Sequence, residues 1–191
     1  AQISIHKSYA EVILTDAVVT SQSTVEISAS AQADSSFTVT AINNKIQVPF
    51  ILAVGYGETL VSANVNIGGA SAITAPGSIS IQSLTTSSTE VEARTMANSR
   101  MFDPPPDPNA PPPEDIEFGL SVAIAVSEVQ SHVKLGAGSL VHSTGGNVLI
   151  EALAGDGDND EAMVTGADSD AQLYKDGTGS ATVAISIGNA D

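Results

Sequence analysis

"AITAPGSISIQ", residues Ala72–Gln82, decides how this chain is read, because the same grammar occurs twice more. "VVTSQSTVEIS" (Val18–Ser28) and "LVHSTGGNVLIE" (Leu140–Glu151) also run from a short apolar pair through a small polar turn into an alternating strand. Alternation of period two is the signature of a half-buried strand. It returns in "SFTVTAI" (Ser36–Ile42), "TEVEART" (Thr89–Thr95) and "ATVAISI" (Ala181–Ile187), each with apolar or small residues on one face. No stretch keeps helical spacing between caps long enough to define a helix. The sequence therefore predicts an all-β chain.

The strands also recur in order. "AEVIL" (Ala10–Leu14), "ANVNIGGAS" (Ala63–Ser71) and "SHVKLGAGS" (Ser131–Ser139) precede the three segments above. "ILAVGYGE" (Ile51–Glu58) pairs with "LSVAIAVSE" (Leu120–Glu128), and "ATVAISIGN" (Ala181–Asn189) opens another copy. Val25 and Ile27 match Ile79 and Ile81 at a displacement of 54 residues, and those match Val148 and Ile150 at 69. The excess of 15 is the length of Met101–Asp115, a block holding seven of the nine prolines. Proline offers no backbone donor and stiffens the chain toward polyproline II. Residues 101–115 are thus read as a semi-rigid acidic loop inserted between equivalent strands of one repetitive segment spanning 1–191.

A repeat unable to bury its own apolar face must stack on its neighbours. Strands joined by Gly/Ser/Asn turns then coil so that each pairs with its equivalent about 4.8 Å along an axis. The expected architecture is a parallel β-helix (β-solenoid) of stacked coils with a Pro-rich loop insertion, a 54-residue unit making about two coils. The alternative is a tandem β-sandwich, whose domains run to roughly 100 residues in Greek-key order.

Composition bounds function. Aromatic residues make up 4% of the chain and Trp is absent, so a thin core of Val, Ile, Leu and Ala is expected. Acidic residues number 22 against 6 basic, a net charge of −16, which argues against nucleic-acid backbones and anionic lipid. With no cysteine there is neither a disulfide framework nor a thiolate metal site. The longest apolar run, "VPFILAVGYG" (Val48–Gly57), is too short and glycine-broken to span a bilayer as a helix. The chain opens without Met or a signal peptide and ends on "ATVAISIGNAD" without a capping element. The expectation is a piece of a longer protein, continued covalently or by head-to-tail self-association.

The grammar of "ANVNIGGASAITAPGSISIQSLTTSSTEVEA" and "LSVAIAVSEVQSHVKLGAGSLVHSTGGNVLIEALA" resembles the repeat regions of large secreted or surface-displayed bacterial proteins, among them filamentous-haemagglutinin-like β-solenoid adhesins. The resemblance covers nearly everything except the proline block. It implies an exported, elongated scaffold at the bacterial cell surface and brings no catalytic residues with it.

The sharpest local motif is "GDGDNDE" (Gly155–Glu161), where Asp156, Asp158 and Asp160 alternate with Gly and Asn. A turn can aim such carboxylates at one hard cation, which makes calcium the candidate ligand. The motif lacks the later glycine and distal Glu of an EF-hand, and its competing reading is a solvated acidic turn. Asp168, Asp170 and Asp176 are expected in the next turn region. Glu90, Glu92 and Arg94 are read as the solvated face of a strand over Val91 and Ala93. "SLTTSSTE" (Ser83–Glu90) is either a hydroxyl ladder or a loop. His6, His132 and His142 are expected at the surface. "GAGSLVHSTGG" lacks the following helix of a phosphate-binding loop. No cleft of carboxylates and aromatics for a polysaccharide enzyme can be assembled, so no catalytic residue and no required cofactor is assigned. The expected function is a structural or adhesive module of an extracellular fibre, stalk or surface protein. The alternative is a calcium-dependent module binding a glycan or a surface protein.

Overall fold

The computed structural model describes residues 1–43, 50–97, 118–154, 163–173 and 180–190. Among them are eleven strands and no helix, as the alternation predicts. The strands are β1 (Gln2–Thr15), β2 (Val18–Thr20), β3 (Val25–Asn43), β4 (Phe50–Gly68), β5 (Ala72–Ala75) and β6 (Ile79–Ala97). They continue with β7 (Phe118–Leu135), β8 (Leu140–Ser143), β9 (Val148–Ala154), β10 (Met163–Leu173) and β11 (Ser180–Ala190). All pairings are parallel and build three sheets. A first long sheet runs β1-β4-β7-β11, a short sheet β2-β5-β8, and a second long sheet places β3 on one side of β6 with β9 and β10 on the other.

The chain visits first long, short and second long sheets in turn, then returns to the first one row further on. The register is the one the repeat foretold: Val25 pairs with Ile79 and Ile79 with Val148. One expectation needs correction. Strands β3, β4 and β6 are each 19 residues long, extending about 60 Å, several times the usual strand. Strands that long consume the 54-residue repeat in a single circuit of the three sheets, not two coils. The 15-residue excess also divides. Fourteen of the extra residues fall in the connection 98–117, which answers to 44–49; the fifteenth lies in the turn 144–147, which answers to 76–78. The block Met101–Asp115 itself lies outside the described residues.

The turn from the first long sheet to the short one is fixed by polar side chains stacked row on row. Asp16 (φ 50°) and Gly69 (φ 64°) occupy equivalent positions in the left-handed region, where glycine, and to a lesser degree Asp, pays little steric cost. The Asp16 carboxylate accepts a hydrogen bond from the Ala70 N–H at 2.8 Å. A Cβ at Gly69 would fall 2.2 Å from that Asp16 oxygen, so this row has room only for glycine. Ser71, fully buried, donates to the Gly68 carbonyl at 2.6 Å and accepts from the Ala17 N–H at 3.2 Å.

Between the long sheets the interior changes character along the strands. Nearest the short sheet, Ile67, Ile73, Ile79, Ile81 and Val65 make an apolar block with none above 1% exposure. Toward the middle the inward positions become Thr59, Thr85, Ser87, Thr89 and Ser127, all buried. Beyond them Val39, Ala53, Val91, Ala93, Ala123 and Ala125 form a second apolar block. The expectation of a core of Val, Ile, Leu and Ala is therefore corrected: a hydroxyl seam divides it. Ser and Thr enter because they are small and satisfy one another across the narrow gap between sheets. Thr59 Oγ1 lies 2.6 Å from Ser87 Oγ and 3.0 Å from Ser127 Oγ and also bonds Thr89, while Ser87 and Ser127 are 2.7 Å apart. "SLTTSSTE" is thus a hydroxyl ladder, with Ser83, Thr85, Ser87 and Thr89 turned inward.

The second block achieves the same closeness by pairing bulk with absence. Gly55 and Gly57 of β4 face Phe37 and Val91 of the second long sheet, and a Cβ at Gly57 would sit 2.5 Å from a Val91 methyl. The glycines are where the largest inward side chains of the opposite sheet lodge.

Candidate functional site

The acidic motif Asp156, Asp158 and Asp160 lies outside the described residues, between β9 and β10 in sequence. Ala154 ends β9 opposite Thr85, and Met163 begins β10 opposite Ser87. β9 and β10 thus lie along the same strand, β6, with Thr86 alone between the residues they pair. Asp168 and Asp170 belong to β10, paired with Glu92 and Arg94, and not to a turn as expected. The alternation there is diluted by Gly166 and Ala167, so composition alone reads as a loop. Asp176 lies outside the described residues. Among the described residues no group of three or more His, Asp or Glu side chains is arranged to hold a metal.

The outer face of the second long sheet is the solvated face the sequence predicts. Val91 and Ala93 point inward while Glu90, Glu92 and Arg94 point out. Arg94 Nε donates to Glu92 Oε1 at 2.6 Å, and Thr38 Oγ1 donates to Glu92 Oε2 at 2.9 Å. An open groove of about 300 Å³ crosses this face between Ser36, Thr38, Glu90, Glu92, Gly166 and Asp168. Its floor is Phe37, Val91 and Ala167, so it is a shallow acidic furrow over the backbone and not an enclosed site. His132 and His142 are exposed as expected, and His6 lies 2.9 Å from Ser4 Oγ on exposed β1.

The outer face of the first long sheet is different, and sequence reasoning missed it. Its outward columns near the start of β4, β7 and β11 read Val54–Val122–Val183, Ile3–Tyr56–Ile124–Ile185 and Ile5–Glu58–Val126–Ile187. Leu52 and Leu120 adjoin them. Ile3 and Ile5 are 71% and 53% exposed, and Ile187 is 52% exposed. In "LSVAIAVSE" and "ATVAISI" the larger apolar residues thus take the outer columns, while Ser121, Ala123 and Ala125 are buried and Thr182, Ala184 and Ser186 continue their columns in β11. The alternation correctly announces strands, but the inter-sheet gap opposite Val91 and Phe37 admits only small side chains, which forces the Val and Ile outward.

Glu58 is the one charged residue within these columns. It accepts a hydrogen bond from the Tyr56 hydroxyl at 3.0 Å. That bond, with the negative charge of Glu58 beside it, raises the Tyr56 pKa above its ordinary 10.0. The patch ends at the column Lys7–Leu60–Glu128–Asn189, where both signs of charge meet, followed by Tyr9–Ser62–Gln130. What this face offers is an aliphatic area across four strands with a polar margin, where an open groove of about 300 Å³ lies among Lys7, Tyr9, Leu60, Ser62, Glu128 and Gln130. Comparison of the chain with protein-family models, with curated proteins and with solved structures finds no match.

Proposed function

We propose that the chain is one β-solenoid segment over residues 1–191, serving as a structural or adhesive module in an extracellular fibre, stalk or bacterial surface protein. The carrying observation is the whole-circuit register, in which Val25, Ile79 and Val148 follow one another in adjacent parallel rows and every strand of one circuit meets its equivalent in the next. Parallel pairing throughout the described residues supports the solenoid over a tandem β-sandwich, whose sheets are antiparallel. The net charge of −16 supports a scaffold that stays soluble.

Electron microscopy and fibre diffraction of the native material test this reading. Thin rods with a meridional spacing of about 4.8 Å are expected; discrete globular particles without that spacing would overturn it. The alternative, a calcium-dependent module binding a glycan or surface protein, draws on the "GDGDNDE" motif at 155–161. It is separated by chelation, since only that reading requires EGTA to lower the melting temperature or abolish binding.

A further inference from the structure

The two long sheets provide an internal control for what an outer face should look like. Both are parallel, both carry an inward row of small and branched residues, and both turn their alternate residues outward. On the second sheet the outward residues Glu26, Gln32, Asp34, Ser88 and Glu90 are interspersed with the apolar Ile42, Leu84 and Leu149. On the first sheet the start of every row is aliphatic. Packing inside explains why small residues point in, but it does not require Val, Ile and Leu outside: Ser and Thr would suit an exposed strand face equally well.

We propose that the outer face of the first long sheet, centred on Ile124 of β7, is a lateral docking surface for the same face of a second copy of this chain. Three properties favour that occupant. First, the surface is the outer face of a four-stranded sheet, and a partner that fits an aliphatic sheet face is another such face, packed about 10 Å away. Second, the area is sufficient. β4 and β7 over the columns Leu52 to Ser62, with β1 from Gln2 and β11 up to Ala190 beside them, cover about 630 Å² per copy from the strand and residue spacings, at the lower end of a standard interface, about 600–1,000 Å² per partner. Third, the charges on the face itself can be matched by self-pairing. The centre holds only Glu58, and the margin carries Lys7 in the column next to it, with Glu128 in that same column. A two-fold arrangement of identical faces can set Lys7 of one copy against an acid of the other. The net charge of −16 opposes an anionic bilayer and a second copy alike, but only the second copy brings a Lys7 to set against Glu58 or Glu128. Apolar centre and polar margin together are the anatomy of a protein interface.

The pairing is sideways and independent of the axial continuation in the proposed function, so the two can fail separately. The test is sedimentation velocity of the full chain across a dilution series reaching about 50 µM, well above the micromolar range of a modest interface. The wild type is expected to be a dimer at the top of the series. Ile124→Lys should raise the dissociation constant at least tenfold and Ile124→Thr should raise it less, with circular dichroism unchanged. Ser88→Lys, on the outer face of the second sheet, should leave it unaltered. If Ile124→Lys fails to fold, the comparison of Ile124→Thr with Ser88→Lys carries the test. A wild type monomeric throughout, or a dimer indifferent to both Ile124 variants, would overturn the proposal, the second result assigning association to strand edges or another face. The solenoid reading is decided separately, on the native material: a chain monomeric in sedimentation overturns the lateral pairing alone, and globular native particles without the spacing of about 4.8 Å overturn the solenoid alone.

Discussion

Within the single strand β6, the interior is built in two ways. Ile79 and Ile81 lie in a dry aliphatic block beside Ile67 and Ile73, and a few residues on Thr85, Ser87 and Thr89 face an interior of hydroxyls. Both regions are buried and both hold the long sheets together, yet their energetics differ. The aliphatic block gains by removing surface from water, about 1.5–3 kcal/mol for each large side chain. The hydroxyl seam gains little from transfer and depends on each group finding a partner, because an unpartnered buried hydroxyl costs about 1–3 kcal/mol. Burial in this fold is a statement about space, and only in the first region is it also a statement about hydrophobicity.

Substitutions that break the comparison should separate the two regions by size of effect. Ile81→Ala removes a fully buried side chain from the aliphatic block, and a loss of about 2–5 kcal/mol in urea unfolding is expected. Gly57→Val places a side chain against Val91 and Phe37, at the border of the seam and the second block. Overpacking of this kind costs about 1–3 kcal/mol, and adding Val91→Ala should recover a good part of it; strictly additive effects would mean the two sites do not press on each other. Thr59→Val keeps the volume of the side chain but removes the hydroxyl bonded to Ser87, Thr89 and Ser127. A loss of about 1–2 kcal/mol is expected, smaller than for Ile81→Ala because Ser87 and Ser127 still bond each other.

Thr85→Val sharpens the comparison from the other side. Thr85 Oγ1 is buried and has no hydrogen-bond partner, so the same exchange of hydroxyl for methyl should leave stability within about 0.5 kcal/mol or raise it. A cost at Thr85 equal to that at Thr59 would show that the seam resists any methyl, whatever its bonding, and that shape rather than pairing governs it.

Much of this fold is legible in the chain because its physics is local and repeated. Alternation marks strands, and equivalent segments such as Ala10–Leu14, Ala63–Ser71 and Ser131–Ser139 reveal the partners that parallel rows would align. The circuit length was not legible, since nothing in a 54-residue period says whether it is spent on a few long strands or several short ones. Nor were β9 and β10 recognisable as one row, because the acidic residues 155–162 separate two segments that share the ladder of β6. The candidate surface was hidden for a third reason: period-two alternation gives two faces and does not label either as the inner one.

The sequence by itself determined the strands, their equivalence from one repeat to the next, the acidic charge and the poverty of aromatic rings. Each of these is a property of neighbouring residues or of a sum over them. The tertiary structure alone decided which face of each strand looks inward. Opposite Phe37 and Val91, the short distance between sheets accepts Gly55, Gly57, Ala123 and Ala125 and turns Tyr56, Val122 and Ile124 to the outside. That choice depends on residues far apart in sequence competing for the same narrow volume, and a close-packed interior settles it by size before polarity.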